Sequence, residues 1–513
     1  MGLIFIGGKP NHVSRAGRSI QVRLCITGSF LLGVLFAMAA GEGPAQRAYH
    51  EAINIITAAR QQLGLSERTG NIRSLYLQYN GQKYMDGQGK KFGTVNDVLP
   101  AEMIIAVDFK SGNLMNETAD RYRGGYLFHF RTVYTDTTGF SFEVPKIRFS
   151  GMNRLPVSGK QALQQSLLRN TPLFMFNMAL EKKQTLRYHG TVREKGRTLQ
   201  VVSFAFSANL VLDMYIDEIS RLLVKYTLNS DHPVHGDQSI TWAFSDYRSV
   251  AGIQFPFVRT CSNGVSLLRA DTLTDIRVNQ VIPDSLFQQP TGYGAPVTLA
   301  TRIREIGKNI FMIEGLNGYN PVFLQFKDYI VVLEAVNGSD EAIRMIQQKF
   351  PGKPIRYVAI SHYHEDHTAG LPYFLRAGAE VITTPQNTAY VQAINGAVHS
   401  ILPVPTGNPV KTIEVSTLKK ITDGELEMQI IPFGANSHAD EMLLFYFPKE
   451  QLIYQADLLI STDQGEIAQP LIPLNHELYR FIQQHGLQVK TIYGVHWKEV
   501  SYAKLEAAVK AAG

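Results

Sequence analysis

The chain has 513 residues, of which 45% are hydrophobic and 18% are charged, as in ordinary globular proteins. This composition excludes disorder, a collagen-like repeat and a coiled coil as overall descriptions, and the length predicts several domains. The 50 Lys and Arg residues outnumber the 44 Asp and Glu residues, but four of the basic residues lie in the acid-free segment 1–40. Without that segment the charge is only +2, so we expect no nucleic-acid partner.

The first segment, residues 1–40, is predicted to direct export. Basic residues precede the uncharged run 24–40 (LCITGSFLLGVLFAMAA), which ends in the small-x-small pattern that signal peptidases accept. The run is short for a membrane span, and an uncleaved N-terminal anchor is the alternative interpretation. The protein is therefore expected in the periplasm or outside the cell, with membrane contact only through an uncleaved segment.

Residues 41–290 predict a mostly antiparallel β domain. Apolar residues at helical spacing over 45–63 predict a helix that ends at Gly64, and a second helix is predicted over 159–180. Segments rich in β-branched and aromatic residues, separated by turn residues, predict many strands. These strands are expected at 72–81, 103–109, 125–134, 198–207, 210–217, 221–228 and 239–257.

Two segments of this domain resemble the half-barrel of periplasmic lipoprotein carriers. They are FSDYRSVAGIQFP (Phe244–Pro256) and IPDSLFQQP (Ile282–Pro290). The resemblance is local, and it implies the fold more than the cargo, with a lipid or another apolar ligand as an expected partner of the domain. The following Gly- and Pro-containing stretch, residues 291–297, is predicted to be a linker.

Residues 298–513 predict a second domain of the α/β class. Strand-like runs between 309 and 335 precede a helix that begins at Ser339, whose acidic first turn suits the helix dipole. The nearly continuous apolar run 355–361 predicts a strand buried on both faces. Strands that alternate with helices are typical of an α/β domain.

A cluster of metal-binding residue types follows that buried strand. The sequence SHYHEDHTAG places His362, His364, Asp366 and His367 at the end of a predicted central strand, where α/β sheets carry their sites. Zn²⁺ accepts His nitrogen and Asp oxygen, and a catalytic zinc uses three protein ligands and a water. A solvated surface run would not explain this spacing, so the segment predicts a metal site.

The H-x-H-x-D-H pattern resembles the metallo-β-lactamase superfamily over roughly residues 300–500. Downstream, His438 in ANSHADEM, Asp457 in QADLL and His496 in YGVHW match the remaining ligand positions of the family in the correct order. The resemblance implies an αβ/βα sandwich and two metal ions. The implied ligands are His362, His364 and His438 on one ion, Asp366, His367 and His496 on the other, and Asp457 shared.

The resemblance also implies the chemistry of a dinuclear metal-dependent hydrolase, and residues 1–40 predict that this enzyme is exported. Two divalent ions would share a hydroxide that attacks an ester, thioester, lactone or amide carbonyl, and Asp366 would both ligate a metal and orient the nucleophile. Zn²⁺ is the first choice of metal, although the hard ligand Asp457 also tolerates Fe or Mn. Glu334 stands where many relatives have an aspartate that supports the metal loop.

A small molecule is the expected substrate. The interval from Asp457 to His496 is 39 residues, which leaves no room for the extra domain that the nucleases of the family carry there. Aspartate at 457 is typical of the glyoxalase II-like and lactonase-like branches. A mononuclear iron enzyme similar to sulfur dioxygenases, or a β-lactamase on the same scaffold, are the alternatives.

Other histidines of the chain are predicted to lie outside the metal site. The pair His232 and His235 in DHPVHGD is interpreted as a turn because the segment contains proline and lacks further ligand partners. His399 could line the pocket, and His476 and His485 are interpreted as surface residues.

Overall fold

The computed structural model describes residues 43–64, 72–93, 97–168, 171–207, 210–232, 234–297, 300–400 and 410–512. The predicted export segment 1–40 lies outside these ranges. Within them, no helix is both long enough and apolar enough to cross a bilayer.

A fourteen-stranded sheet forms the frame of the first domain. In chain order its strands are Ser74–Tyr84 (β1), Val98–Asp108 (β2), Asn113–Arg121 (β3), Leu127–Tyr134 (β4), Gly139–Glu143 (β5), Gly151–Leu155 (β6), Arg187–Glu194 (β7), Arg197–Ser207 (β8), Leu210–Asp217 (β9), Leu223–His232 (β10), Gly236–Val250 (β11), Ile253–Ser262 (β12), Leu267–Val278 (β13) and Gly294–Val297 (β14). Their order across the sheet is β14-β6-β5-β4-β3-β2-β1-β13-β12-β11-β10-β9-β8-β7. Only the β14–β6 pair is parallel, so the predicted mostly antiparallel β domain is confirmed.

Three helices pack against this sheet: Pro44–Gln62 (α1), Gly159–Leu168 (α2) and Pro172–Glu181 (α3). Ile56 of α1 and Phe176 of α3 share a buried apolar core with Phe204 of β8. The prediction of one helix over 159–180 was wrong, because Pro172 lacks an N–H group and holds the preceding residue in extended backbone.

The connection between the domains carries one strand of its own. Residues 291–297 were expected to be a linker, and their second half forms β14, whose neighbour in the sheet is β6. The amide of Gly294 donates to the carbonyl of Ser150 at 2.9 Å.

Two sheets form the second domain. The first contains Arg302–Gly307 (β15), Ile310–Glu314 (β16), Val322–Gln325 (β17), Ile330–Leu333 (β18), Ile355–Ala359 (β19), Glu380–Thr383 (β20) and Thr412–Glu414 (β21), in that order. The second contains Lys419–Thr422 (β22), Glu427–Pro432 (β23), Leu443–Phe447 (β24), Leu452–Gln455 (β25), Thr491–Gly494 (β26) and Val500–Ser501 (β27), again in order. The helices are Ser339–Lys349 (α4), Glu365–Thr368 (α5), Leu371–Arg376 (α6), Pro385–Gly396 (α7), Pro473–Gln484 (α8) and Tyr502–Ala512 (α9).

The two sheets share one apolar core, and helices cover them. Val358 of the first sheet and Phe445 of the second are both fully buried in that core. A separate core joins Ile453 of the second sheet to Leu478 of α8 and Leu505 of α9. This arrangement confirms the predicted αβ/βα sandwich, and it brings the loops that follow β19, β25 and β26 together.

Candidate metal centre

The loop after β19 carries the first four predicted ligands. β19 is parallel to both of its neighbours, and a central position of this kind explains its apolar sequence. The chain then passes through His362 and His364 into the single turn of α5, which contains Asp366 and His367. The three histidines are at most 1% exposed.

The remaining three ligands come from the second sheet. His438 lies between β23 and β24, where the side-chain oxygen of Asn436 accepts the backbone N–H groups of His438 and Ala439 at 2.8 and 3.0 Å. Asp457 lies two residues after β25, and His496 lies two residues after β26. The sandwich thus brings strand ends that are distant in sequence to one place.

All seven predicted residues lie together. His362, His364, His438 and Asp457 form one group whose ligand atoms are within 4.8 Å of one another, and Asp366, His367 and His496 form a second such group. Asp457 contacts both groups, since its Oδ2 is 3.4 Å from Nε2 of His362 and 2.8 Å from Nε2 of His367.

The donor separations fit a metal ion. Nε2 of His362 is 3.1 Å from Nε2 of His438, and Nε2 of His496 is 3.3 Å from Nε2 of His367. Tetrahedral ligands at zinc bond lengths stand about 3.3 Å apart. Nδ1 of His364 is buried and has no hydrogen-bond partner among the described residues. An ion would satisfy such converging nitrogen atoms, so the donor set fits two divalent cations.

Electrostatics make the two groups different. Burial and the neighbouring His438 lower the pKa of the His364 imidazole to about 3, so this ligand is neutral and its lone pair is available. Burial also acts to lower the pKa of His367, but the carboxylates of Asp366, Asp457 and Glu334 outweigh it and hold that pKa well above its usual range. The carboxylates therefore make the surroundings of the second group more negative than those of the first.

Glu334 contacts the loop that carries His362, His364 and His367, at the position where the family resemblance implied a supporting carboxylate. The residue is fully buried, and its Oε2 accepts a hydrogen bond from Nδ1 of His367 at 3.2 Å. Its Oε1 accepts the backbone N–H of Ser361 at 3.3 Å. Glutamate reaches both partners from a backbone with φ of 70°, a conformation that side chains other than glycine rarely adopt. Because the carboxylate holds Nδ1, Nε2 of His367 faces the other ligands.

The first domain also reaches the site, which sequence reasoning missed. The carbonyl of Gly89 accepts a hydrogen bond from Nε2 of His364 at 2.7 Å, and the side-chain amide of Gln88 donates to Oδ1 of Asp366 at 3.0 Å. The ring of Tyr126 lies 5.8 Å from that of His438, and its buried hydroxyl has no partner among the described residues. These residues belong to no motif, so no sequence pattern could have found them.

The histidines that the sequence analysis set aside belong to neither ligand group, although Nε2 of His232 lies 3.4 Å from Glu365 of α5. The rings of His232 and His235 stack at 4.7 Å in a turn, where Nδ1 of His232 accepts the N–H groups of Val234 and His235. His399 is paired with Asp231 at 2.7 Å and lies outside both ligand groups.

Residues 315–496 match the family model of the metallo-beta-lactamase superfamily. A search of curated proteins gave no match. Among solved structures, a metallo-beta-lactamase from Pontibacter korlensis is 13% identical with a TM-score of 0.33, covering 41% of this chain and 98% of its own. The DIM-1 metallo-beta-lactamase is 15% identical with a TM-score of 0.32, covering 42% and 98%, and TMB-1 is 15% identical with a TM-score of 0.32, covering 42% and 100%.

The family match falls on the domain that carries the seven candidate ligands. Residues 315–496 therefore belong to the metallo-β-lactamase superfamily, whose members are generally hydrolases. The resemblance predicted from the ligand pattern is confirmed.

Proposed function

We propose that the chain is a dinuclear metal-dependent hydrolase that cleaves an ester, thioester, lactone or amide of a small molecule. The observation that carries the proposal is the position of Asp457. Its two oxygens contact ligands of both groups, Oδ2 with His362 and His367 and Oδ1 with His496 at 3.3 Å. A carboxylate in this position suits two neighbouring ions and favours them over the single iron of an oxygenase.

The chemistry of the donors supports zinc. His362, His364 and His438 would hold one ion and Asp366, His367 and His496 the other, with Asp457 between them. Divalent ions bound there would lower the pKa of a bound water and polarise a carbonyl oxygen of the substrate. Imidazole with carboxylate suits Zn²⁺, and also Fe or Mn.

Asp366 is the group of this chain that would handle the attacking water. Its side chain is 30% exposed, against 8% for Asp457 and none for His367, so the site opens on the Asp366 side. Oδ2 of Asp366 lies 3.2 Å from Nε2 of His496, and Oδ1 accepts the Gln88 amide. A carboxylate held in this way can orient a water and accept its proton.

Export and an apolar partner are further parts of the proposal. The basic and apolar pattern of residues 1–40 supports a periplasmic or secreted location, and N-terminal sequencing of the protein from its natural source tests for cleavage. A cavity of about 240 Å³ in the first domain is lined by apolar residues such as Ile104 and Leu286 and by the charged residues Glu117, Arg131 and Arg277, which supports a ligand with both an apolar and a polar part. Mass spectrometry of an organic extract of the purified protein tests for that ligand.

The decisive experiment combines metal analysis with a substrate screen. We expect two equivalents of zinc per chain, and hydrolysis of at least one compound in a panel of esters, thioesters, lactones, amides and β-lactams. Removal of the metal with a chelator should abolish this hydrolysis, and added Zn²⁺ should restore it. One equivalent of iron alone, together with oxygen consumption, would overturn the proposal in favour of an oxygenase.

A further inference from the structure

We propose that residues 85–93 of the first domain, here named the site loop, help to position the metal ligands of the second domain. Gln88 and Gly89 would act in it as positioning residues for Asp366 and His364. This inference rests on the proposed function, because it concerns the same metal ligands.

The contact to His364 decides which of its nitrogens faces the metal. A backbone carbonyl can only accept, so the Nε2 that lies 2.7 Å from the oxygen of Gly89 carries the proton. Nδ1 is then the unprotonated nitrogen, and it is the atom that is buried without a partner. An acceptor behind a ligand imidazole orients the ring and raises its basicity. For His364, the first domain supplies this acceptor.

The contact to Asp366 sets the orientation of the carboxylate. The Gln88 amide donates to Oδ1 at 3.0 Å, which leaves Oδ2 directed at His496 and His367, at 3.2 and 3.5 Å. Asp366 is the most exposed of the seven residues, so its rotamer is the least restrained by packing. A neutral donor from the neighbouring domain restrains it without adding charge.

The site loop contacts the first domain at its start and the second domain at its end, and these contacts restrain its position. At its start the amide of Met85 donates to the carbonyl of Asp97 at 2.9 Å, and the side chain of Asp86 accepts from Asn263 at 3.0 Å. Both of those contacts lie within the first domain.

The other end of the site loop is attached to the second domain. The carbonyl of Lys90 accepts the amide of Asp440, two residues after His438, at 2.9 Å. The ring of Phe92 packs 4.9 Å from that of Tyr390 and 6.3 Å from that of Tyr363, which lies between two ligands. The site loop therefore contacts the segment that carries His438 through the carbonyl of Lys90. It contacts the segment that carries His362 and His364 through the ring of Phe92.

Two full-length variants test the proposal. Gln88→Ala removes the donor to Asp366, and Phe92→Ala removes the anchor that holds the carbonyl of Gly89 against His364. Matched controls are Gln347→Ala, an exposed glutamine of α4, and Phe109→Ala, which removes a ring stacked on Phe174 in the first domain. The readouts are zinc affinity by chelator competition, the absorption spectrum of the Co²⁺-loaded protein, and unfolding of the metal-free protein.

We expect each site-loop variant to lose about tenfold in affinity for at least one ion, and to change the cobalt spectrum. The controls should keep both properties, and metal-free Gln88→Ala should unfold like the unmodified chain. Affinities within twofold of the unmodified chain for both variants, or equal losses in the controls, would overturn the proposal. A chain that binds two ions with unaffected variants refutes this inference alone, whereas an unmodified chain that binds no divalent ion refutes the proposed function as well.

Discussion

The two domains differ in the partners of their buried carboxylates, which are arginines in the first domain and imidazoles in the second. In the first domain, Arg259 and Asp271 are both 2% exposed and form an ion pair at 2.9 Å, and Nε of Arg269 lies 2.8 Å from both carboxylate oxygens of Asp271. In the second domain, buried imidazoles and carboxylates converge in a place where no Lys or Arg side chain pairs with Asp366 or Asp457 among the described residues.

This difference separates a structural cluster from a metal centre. Burying a charge costs free energy unless a partner compensates for it, and the arginines compensate Asp271. Nε2 of His362 and Nε2 of His438 face one another at 3.1 Å, and a cation between them would accept the lone pairs of both nitrogen atoms. Among the described residues, Asp366 and Asp457 pair with imidazoles and not with Lys or Arg side chains, and this pattern, more than burial itself, indicates the site.

The largest effect is expected from removing two ligands of the second domain. His362→Ala together with His364→Ala should abolish both turnover and the binding of one ion, because one ligand group then keeps only His438 and Asp457. The first domain should stay folded, as followed by circular dichroism. The double variant His476→Ala with His485→Ala, outside both groups, is the control and should keep full activity. Full activity in the ligand variant would contradict the site assignment.

A smaller effect, on stability alone, is expected in the first domain. Asp271→Asn leaves Arg259 buried without its counter-charge and should lower the free energy of unfolding by about 3 to 5 kcal/mol, measured by urea denaturation. Asp275→Asn breaks an exposed pair with Arg277, and its effect on the free energy of unfolding should be far smaller because solvent screens that pair. Metal content in native buffer should be unchanged in both variants. Loss of zinc from Asp271→Asn would contradict the distinction between a structural ion pair in the first domain and a metal site in the second.

The smallest effect is expected from a change at Glu334, which contacts the candidate ligand His367. Glu334→Gln weakens the acceptor of the Nδ1 proton of His367 and should lower the affinity for one ion by about 10- to 100-fold. Chelator competition measures this affinity, and Glu314→Gln, whose carboxylate pairs with Arg302 and Arg304 away from the ligands, is the control. An unchanged affinity in Glu334→Gln would show that the carboxylate does not support the metal.

The seven candidate ligands could be predicted to lie together because each occurs in a recognisable motif beside an apolar strand. His362, His364, Asp366 and His367 lie in one short segment, and the other three end or precede apolar runs. Glu334 was also identified by its position in a strand-ending motif. Gln88 and Gly89 could not be predicted, since a glycine-rich turn such as MDGQGKKF occurs in many proteins and only its tertiary contact gives it a role.

Predictions of local structure succeeded where the hydrophobic pattern was simple. The helix that begins at Ser339 was expected from its acidic first turn, and the structure has it at Ser339–Lys349. The split between α2 and α3 was missed because the apolar spacing on both sides of Pro172 is compatible with one helix. The position of β14 beside β6 was also missed, because a four-residue strand is identified only by its partner.

The sequence by itself determined which side chains can bind metal, in what order they occur, and that a strand-rich domain precedes them. These properties depend on residue type and short spacing, which a linear chain displays directly. The tertiary structure decided that ligands separated by more than a hundred residues meet around Asp457, and that a loop of the first domain contacts two of them. Packing between distant segments sets such contacts, and no local pattern records which surfaces will meet.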